Sequence, residues 1–123
     1  MSVDFLVDVT PNQFDAVKNK IPLTLQNRVE FVINEQRRTI LAADYLQNNQ
    51  FPAFGRLMYQ SHRGLQHLYE VTCMETDLLV NEAQQQPYIL GARQMGGGFG
   101  GCVLYMIEKD AIPLFKELSL IHI

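Results

Sequence analysis

Five of the eight glycines in this 123-residue chain fall within the run Gly96-Gly97-Gly98-Phe99-Gly100-Gly101. Glycine loses more backbone entropy on ordering than any other residue and weakens helix and strand alike, so the run dictates a sharp bend between two separate elements. The residues leave two readings open. One is a tight strand-to-strand connection that needs positive φ. The other is a backbone-lined concavity whose N–H groups can approach an anion such as phosphate. Gly96, Gly98 and Gly101 match G-x-G-x-x-G, but a dinucleotide site places a helix after that motif. Here Cys102-Val103-Leu104-Tyr105-Met106-Ile107 follows, an apolar run that predicts a buried strand. A P-loop is excluded because no Gly-Lys-Ser/Thr occurs.

The segments before the bend are helical in pattern. Val3, Phe5, Val7 and Val9 alternate weakly, as in a strand, and Thr10-Pro11-Asn12-Gln13 then predicts a capping box opening a short helix to about Asn19. After Ile21-Pro22, an uninterrupted helix is predicted from Thr24 to Gln47, with Leu25, Val29, Val32, Ile33, Ile40, Leu41 and Leu46 as its apolar stripe and Asn48-Asn49 as its stop. A second follows Pro52, with Phe54, Leu57, Met58, Leu65 and Leu68 as core and Gly64 allowing close packing. Thr72-Cys73-Met74-Glu75 predicts a capping box for a third helix through Leu78, Leu79 and Ala83, closed by Pro87. Tyr88-Ile89-Leu90 is a short strand candidate, and Asp110 can cap a last helix through Leu114 and Phe115. Long helices followed by strands predict an α+β domain, with helices packed on one face of a small antiparallel sheet.

Composition narrows the function classes. Net charge is −3, from 10 Lys+Arg and 13 Asp+Glu, which argues against nucleic acid as a partner. No apolar run is long enough for a membrane span, and the N-terminus carries no signal-peptide pattern. Cys73 and Cys102 suggest neither a disulfide framework nor a metal motif, so a soluble cytoplasmic protein is expected.

In its wider setting, Gly91-Ala92-Arg93-Gln94-Met95 followed by the glycine run and Cys102 resembles the third signature motif of the GHMP small-molecule kinases, in its galactokinase branch. Ser61-His62-Arg63-Gly64-Leu65 is similar to the family's Ser-His-x-x-Leu, Tyr69-Glu70-Val71-Thr72 to its Tyr-Glu-Val-Ser/Thr, and Glu75-x-Asp77 with Leu78 to its Glu-Leu-Asp. The Arg28-Val29 to Glu35/Arg37 helix and Phe54-Gly55-Arg56-Leu57-Met58 also fit, so the likeness spans roughly residues 5–117. Met95 departs from a usual Thr, Thr76 from a usual Leu, and His67-Leu68 from acidic residues.

The resemblance implies a GHMP kinase C-terminal domain over 1–117, ferredoxin-like and missing its last strand. It also implies transfer of the γ-phosphoryl group of ATP to the anomeric hydroxyl of galactose, with Mg²⁺. Gly96, Gly97, Gly98, Phe99, Gly100 and Gly101 would then face ATP in a cleft against the protein's own N-terminal domain. That domain would supply the catalytic residues, leaving none here and leaving this chain inactive alone. A non-catalytic sugar and ATP sensor, a related GHMP sugar kinase or a free-standing scaffold domain are alternatives. Leu118-Ser119-Leu120-Ile121-His122-Ile123 matches the translation of a common transposon-end sequencing adapter, so 118–123 is expected to be a non-native tail.

Among single residues, Arg93 reads as a surface or interdomain ion pair, His62 as a capping or core-edge histidine, and Cys102 as a buried strand residue. Phe99 reads as an anchor that packs down while the glycines turn. Glu75 and Asp77 suit a helix N-terminus. His67 and His122 have no metal spacing.

Overall fold

The computed structural model describes residues 3–122, with side chains described through Ser119, so most of the 118–123 tail lies outside the described side chains. The predicted N-terminal alternation does not form a strand. Leu6–Asp8 is a 3-10 turn, closed by Asp8 N–H to Phe5 O and Val9 N–H to Leu6 O at 3.1 Å each. No strand lies alongside, among the described residues, to reward an extended backbone, and Phe5 and Val7 are exposed.

Helix α1 (Pro11–Val17) opens on the predicted capping box, with Gln13 N–H donating to Thr10 Oγ1 at 3.2 Å and Thr10 N–H to Gln13 Oε1 at 2.9 Å. Helix α2 (Leu23–Gln47) spans 25 residues, about 37 Å at 1.5 Å per residue. It stops at Asn49, which takes a left-handed φ of 58°. Its predicted stripe is only partly used. Of its members Ile33 is buried, together with Phe31 from outside the stripe, whereas Leu25, Ile40, Leu41 and Leu46 are exposed because the helix outruns what packs on it here.

Helix α3 (Phe51–Gly64) forms the central layer. A Cβ on Gly64 would lie 2.7 Å from the Phe31 ring, so this glycine lets α2 and α3 close together as the sequence suggests. The predicted continuation to Leu68 is not α-helical. Residues Leu65–Tyr69 form a π turn, ended by Glu70 at φ 58°, and Val71 N–H reaches back to Leu65 O at 3.0 Å. From α2, Arg28 closes the turn by donating to Leu68 O and pairing with Glu70 at 2.8 Å.

Helix α4 (Met74–Gln84) is capped one residue later than predicted. Cys73 is the N-cap, its N–H donating to Thr76 Oγ1 at 3.2 Å, because the Thr72 hydroxyl is engaged with Asp77 Oδ2 at 3.1 Å.

Strands β1 (Ile89–Met95) and β2 (Cys102–Ile107) pair antiparallel around the glycine run, in the register Ala92–Tyr105, Arg93–Leu104 and Met95–Cys102. Strand β1 is longer than the predicted Tyr88–Leu90 segment and carries the motif residues Gly91 to Met95. Here α3 approaches main chain to main chain. A Cβ on Gly55 would sit 2.0 Å from Leu90 O, and one on Gly91 2.5 Å from Gly55 O. The polar run Gly-Ala-Arg-Gln is thus strand by tertiary contact rather than by propensity.

Opposed residues share a face of the sheet. The Ala92 and Tyr105 face packs on Val80 and Ala83 of α4 and on Phe115 of α5 (Ile112–His122), whose ring lies 4.8 Å from that of Tyr105. Helices α4 and α5 therefore cover this face, as predicted, while residues of α2 and α3 flank part of the other. The other face leaves Met95, Cys102 and Leu104 exposed, so β2 is not the buried strand, nor Cys102 the buried residue, that its apolar run suggested. With a single strand partner among the described residues, β2 is sheltered on one side only. Asp110 falls inside a 3-10 turn (Lys109–Ala111) ahead of α5 instead of capping it.

Two glycine substitutions should therefore behave oppositely. Gly55→Ala is expected to destabilise the domain by about 1–3 kcal/mol or more through overpacking, lowering the melting temperature by about 4–8 °C per kcal/mol. Gly97→Ala, with open space around its Cβ position and no positive φ, is expected to stay within about 0.5 kcal/mol. Thermal melts followed by circular dichroism test the pair.

Candidate functional site

The glycine run forms the tip joining β1 to β2. Gly96, Gly98, Gly100 and Gly101 have φ between 98° and 132°, and Phe99 is left-handed at 60°. Gly96, Gly97, Phe99 and Gly101 are exposed, and Cβ positions on Gly96 and Gly97 would meet nothing within 4 Å. The tip is thus an open, main-chain-lined surface.

Its underside is fixed to the segment before α4. Phe99 N–H donates to Val71 O, a Cβ on Gly98 would approach Val71 Cβ to 3.1 Å, and one on Gly100 would lie 3.8 Å from Cys73 Sγ. Phe99 does anchor the turn, but through its amide. Its side chain is 75% exposed, contrary to the packed-down ring expected, because a left-handed φ leaves the ring on the outer side.

Beneath the tip lies a polar network that the sequence did not reveal. Gln94 is 2% exposed and both ends of its side-chain amide are hydrogen-bonded. Oε1 accepts from Thr76 Oγ1 at 2.7 Å, and Nε2 donates to Val71 O at 3.0 Å, the same oxygen that holds Phe99. His62, 1% exposed, accepts Gln94 N–H on Nδ1 at 3.0 Å. A backbone amide can only donate, so the proton of the neutral ring sits on Nε2, which donates to Asp77 Oδ1 at 2.9 Å. Burial pushes the His62 pKa below its ordinary 6.5, against the opposing pull of Asp77. The core-edge histidine is therefore a fully buried hub. The available hints were an amide placed mid-strand at Gln94 and the unusual Thr76, which turn out to be bonded to each other.

On the opposite sheet face, a hollow of about 260 Å³ is lined by Glu35, Arg38, Ser61, Arg93, Met95 and Leu104, among others. Glu35 accepts from Ser61 and pairs with Arg38 at 3.0 Å and Arg93 at 3.4 Å. Arg93 thus makes an ion pair within the domain. Glu75, exposed at the start of α4, has its carboxyl held below the usual range by its own backbone N–H and then by Cys73. His67 is exposed, and His122 lies outside the described side chains. Among the described residues, no three His, Cys, Asp or Glu side chains converge as metal ligands. No helix among them is long and apolar enough to cross a membrane.

Residues 42–118 match the family described as GHMP kinases C terminal. The chain belongs to the GHMP kinases. This GHMP kinase domain is 43% identical over 104 residues to a galactokinase of Exiguobacterium sibiricum, covering 85% of the chain and 26% of that protein. It is 41% identical over 108 residues to human galactokinase, covering 88% of the chain and 28% of that protein. The crystal structure of Lactococcus lactis galactokinase complexed with galactose superposes with a TM-score of 0.90 at 34% identity, covering 95% of this chain and 30% of that one. The GHMP kinase domain therefore spans less than a third of the length of these galactokinases, in their C-terminal part.

The depressed His62 pKa carries a sign. The unfolded chain takes up the proton more readily than the folded one, so the full stability is present above about pH 6.5 and is lost as pH falls below it. The melting temperature is expected to drop between pH 7 and pH 5, and a His62→Asn variant should show a shallower drop over the same window. Parallel melts in matched ionic strength check this.

Proposed function

We propose that this chain forms the C-terminal wall of the active-site cleft of a galactokinase. That enzyme transfers the γ-phosphoryl group of ATP to the anomeric hydroxyl of galactose in the cytoplasm. The bond from the sugar oxygen to the γ-phosphorus forms as the bond from that phosphorus to the bridging β–γ oxygen breaks. ADP departs, and the hydroxyl proton passes to a base outside this chain. The observation that carries the reading is the open tip Gly96–Gly101, set on a domain about 40% identical to galactokinases. Phosphoryl transfer is governed by positioning and by electrostatic stabilisation of charge on the phosphoryl oxygens. Main-chain N–H groups presented without Cβ atoms suit that task, whether they meet the nucleotide or support a neighbouring loop that does. Mg²⁺, when bound, would be held chiefly by the nucleotide's phosphates with one or two carboxylates of the complete enzyme. Exposed Phe99 and the exposed stripe of α2 fit contact with the N-terminal half.

Mixing the 123-residue chain with a separately produced galactokinase N-terminal half tests the proposal. Neither part alone should phosphorylate galactose, and the mixture should. ATP binding without turnover would favour a sensor instead, and no association under any condition would overturn the reading. Within the active mixture, Gly98→Val is expected to lower kcat/KM by about 100-fold, roughly 2.7 kcal/mol of transition-state stabilisation. The cause is that position 98 has φ +98° and abuts Val71. Gly97→Ala should cost little by comparison.

A further inference from the structure

We propose that His62 is a positioning residue for the glycine turn, acting through Nδ1 on Gln94 and so on Val71 O, the acceptor of Phe99 N–H, while Nε2 ties the ring to Asp77. The inference rests on the reading of the turn as a cleft wall, but its geometry stands independently. From Nδ1 one arm runs to Gln94 N–H, and the Gln94 side chain donates to Val71 O at 3.0 Å. From Nε2 the other arm runs to Asp77, whose second oxygen accepts from Thr72 at 3.1 Å, the residue next to Val71. The first arm ends on Val71 O, which receives Phe99 N–H at the centre of the turn, and the second ends on the neighbouring Thr72. His62 touches neither the exposed tip nor any group that could meet substrate, so it acts through Gln94 and Val71.

The two arms can be cut separately. His62→Asn places an acceptor where Nδ1 stands and shortens away from Asp77. His62→Gln reaches Asp77 and leaves Gln94 N–H without its acceptor. Amide hydrogen exchange in the 123-residue chain, read by NMR, should show Phe99 N–H exchanging about 10-fold faster or more in His62→Gln, with His62→Asn within about 3-fold of the unaltered chain. Equal rates in all three proteins would overturn the proposal.

A second measurement needs no variant. Lowering the pH protonates Nδ1 and removes the acceptor of Gln94 N–H. The Gly98 and Phe99 amide shifts should then follow the His62 ring protons with one midpoint. The charged groups around His62 are Asp77 on α4, Arg63 on α3 and Arg93 on β1, with Glu35 on α2 paired to Arg93. Turn amides that follow a carboxylate midpoint, or do not titrate, would also overturn it. Activity of the reconstituted mixture separates the two ideas. Faster Phe99 exchange with unchanged kcat and KM upholds the positioning role and refutes the cleft-wall reading. A lower kcat rescued by His62→Asn supports both.

Discussion

A buried imidazole with both nitrogens committed ties two helices and a strand together beneath the glycine turn. His62 sits on the third helix, accepts a strand amide on one side and donates a hydrogen bond to a carboxylate of the fourth helix on the other. Leaving the buried imidazole or the strand amide unpaired would cost about 1–3 kcal/mol each. The cost of a mismatch makes the arrangement specific. The strand can pair with the helix at only one height, and the turn that follows the strand inherits that height. The glycines supply the permissive backbone, while the orientation comes from side chains lying beneath them.

Much of this was legible in the sequence because it is local. Thr10 with Gln13 fixes the start of the first helix, Asn49 the end of the second, and a run of glycines before an apolar hexapeptide fixes the hairpin. What was not legible is what tertiary contact decides. Gly91 to Gln94 has no strand propensity, yet it is strand because Gly55 lets a helix backbone press against it. Thr72 looks like a cap until Asp77 claims its hydroxyl. Gln94 and Thr76 lie 18 residues apart and form a 2.7 Å bond that no periodicity anticipates. Phe99 misled for a related reason: aromatic rings usually pack down, but a left-handed φ inverted the roles of main chain and side chain at that position.

The apolar residues that remain outside mark where the domain's own core ends. Val80, Ala83, Ile89 and Ala92 close one face of the sheet under two helices. On the other side Leu104 and Met95 stay in solvent, and along the second helix so do Ile40, Leu41 and Leu46. Scattered exposed leucines need no explanation, but rows of them on a long helix and on an open sheet face do. The domain matches under a third of its relatives' length, and apolar rows of this kind, outside a domain's own core, mark surface suited to packing against further protein.

The chemistry open to the turn follows from how it is built. Its exposed atoms are main-chain amides and carbonyls, together with one phenyl ring, and none of these titrates or carries a full charge. Such a surface can neutralise part of an anion's charge and exclude water. It cannot by itself abstract a proton or tell one sugar epimer from another, since that discrimination needs directional groups matched to each hydroxyl. The division of labour is therefore fixed by residue type. On the proposed reading, this domain would supply a cradle of main-chain groups held through Gln94 and His62, and selectivity for the acceptor would come from side chains on the facing wall.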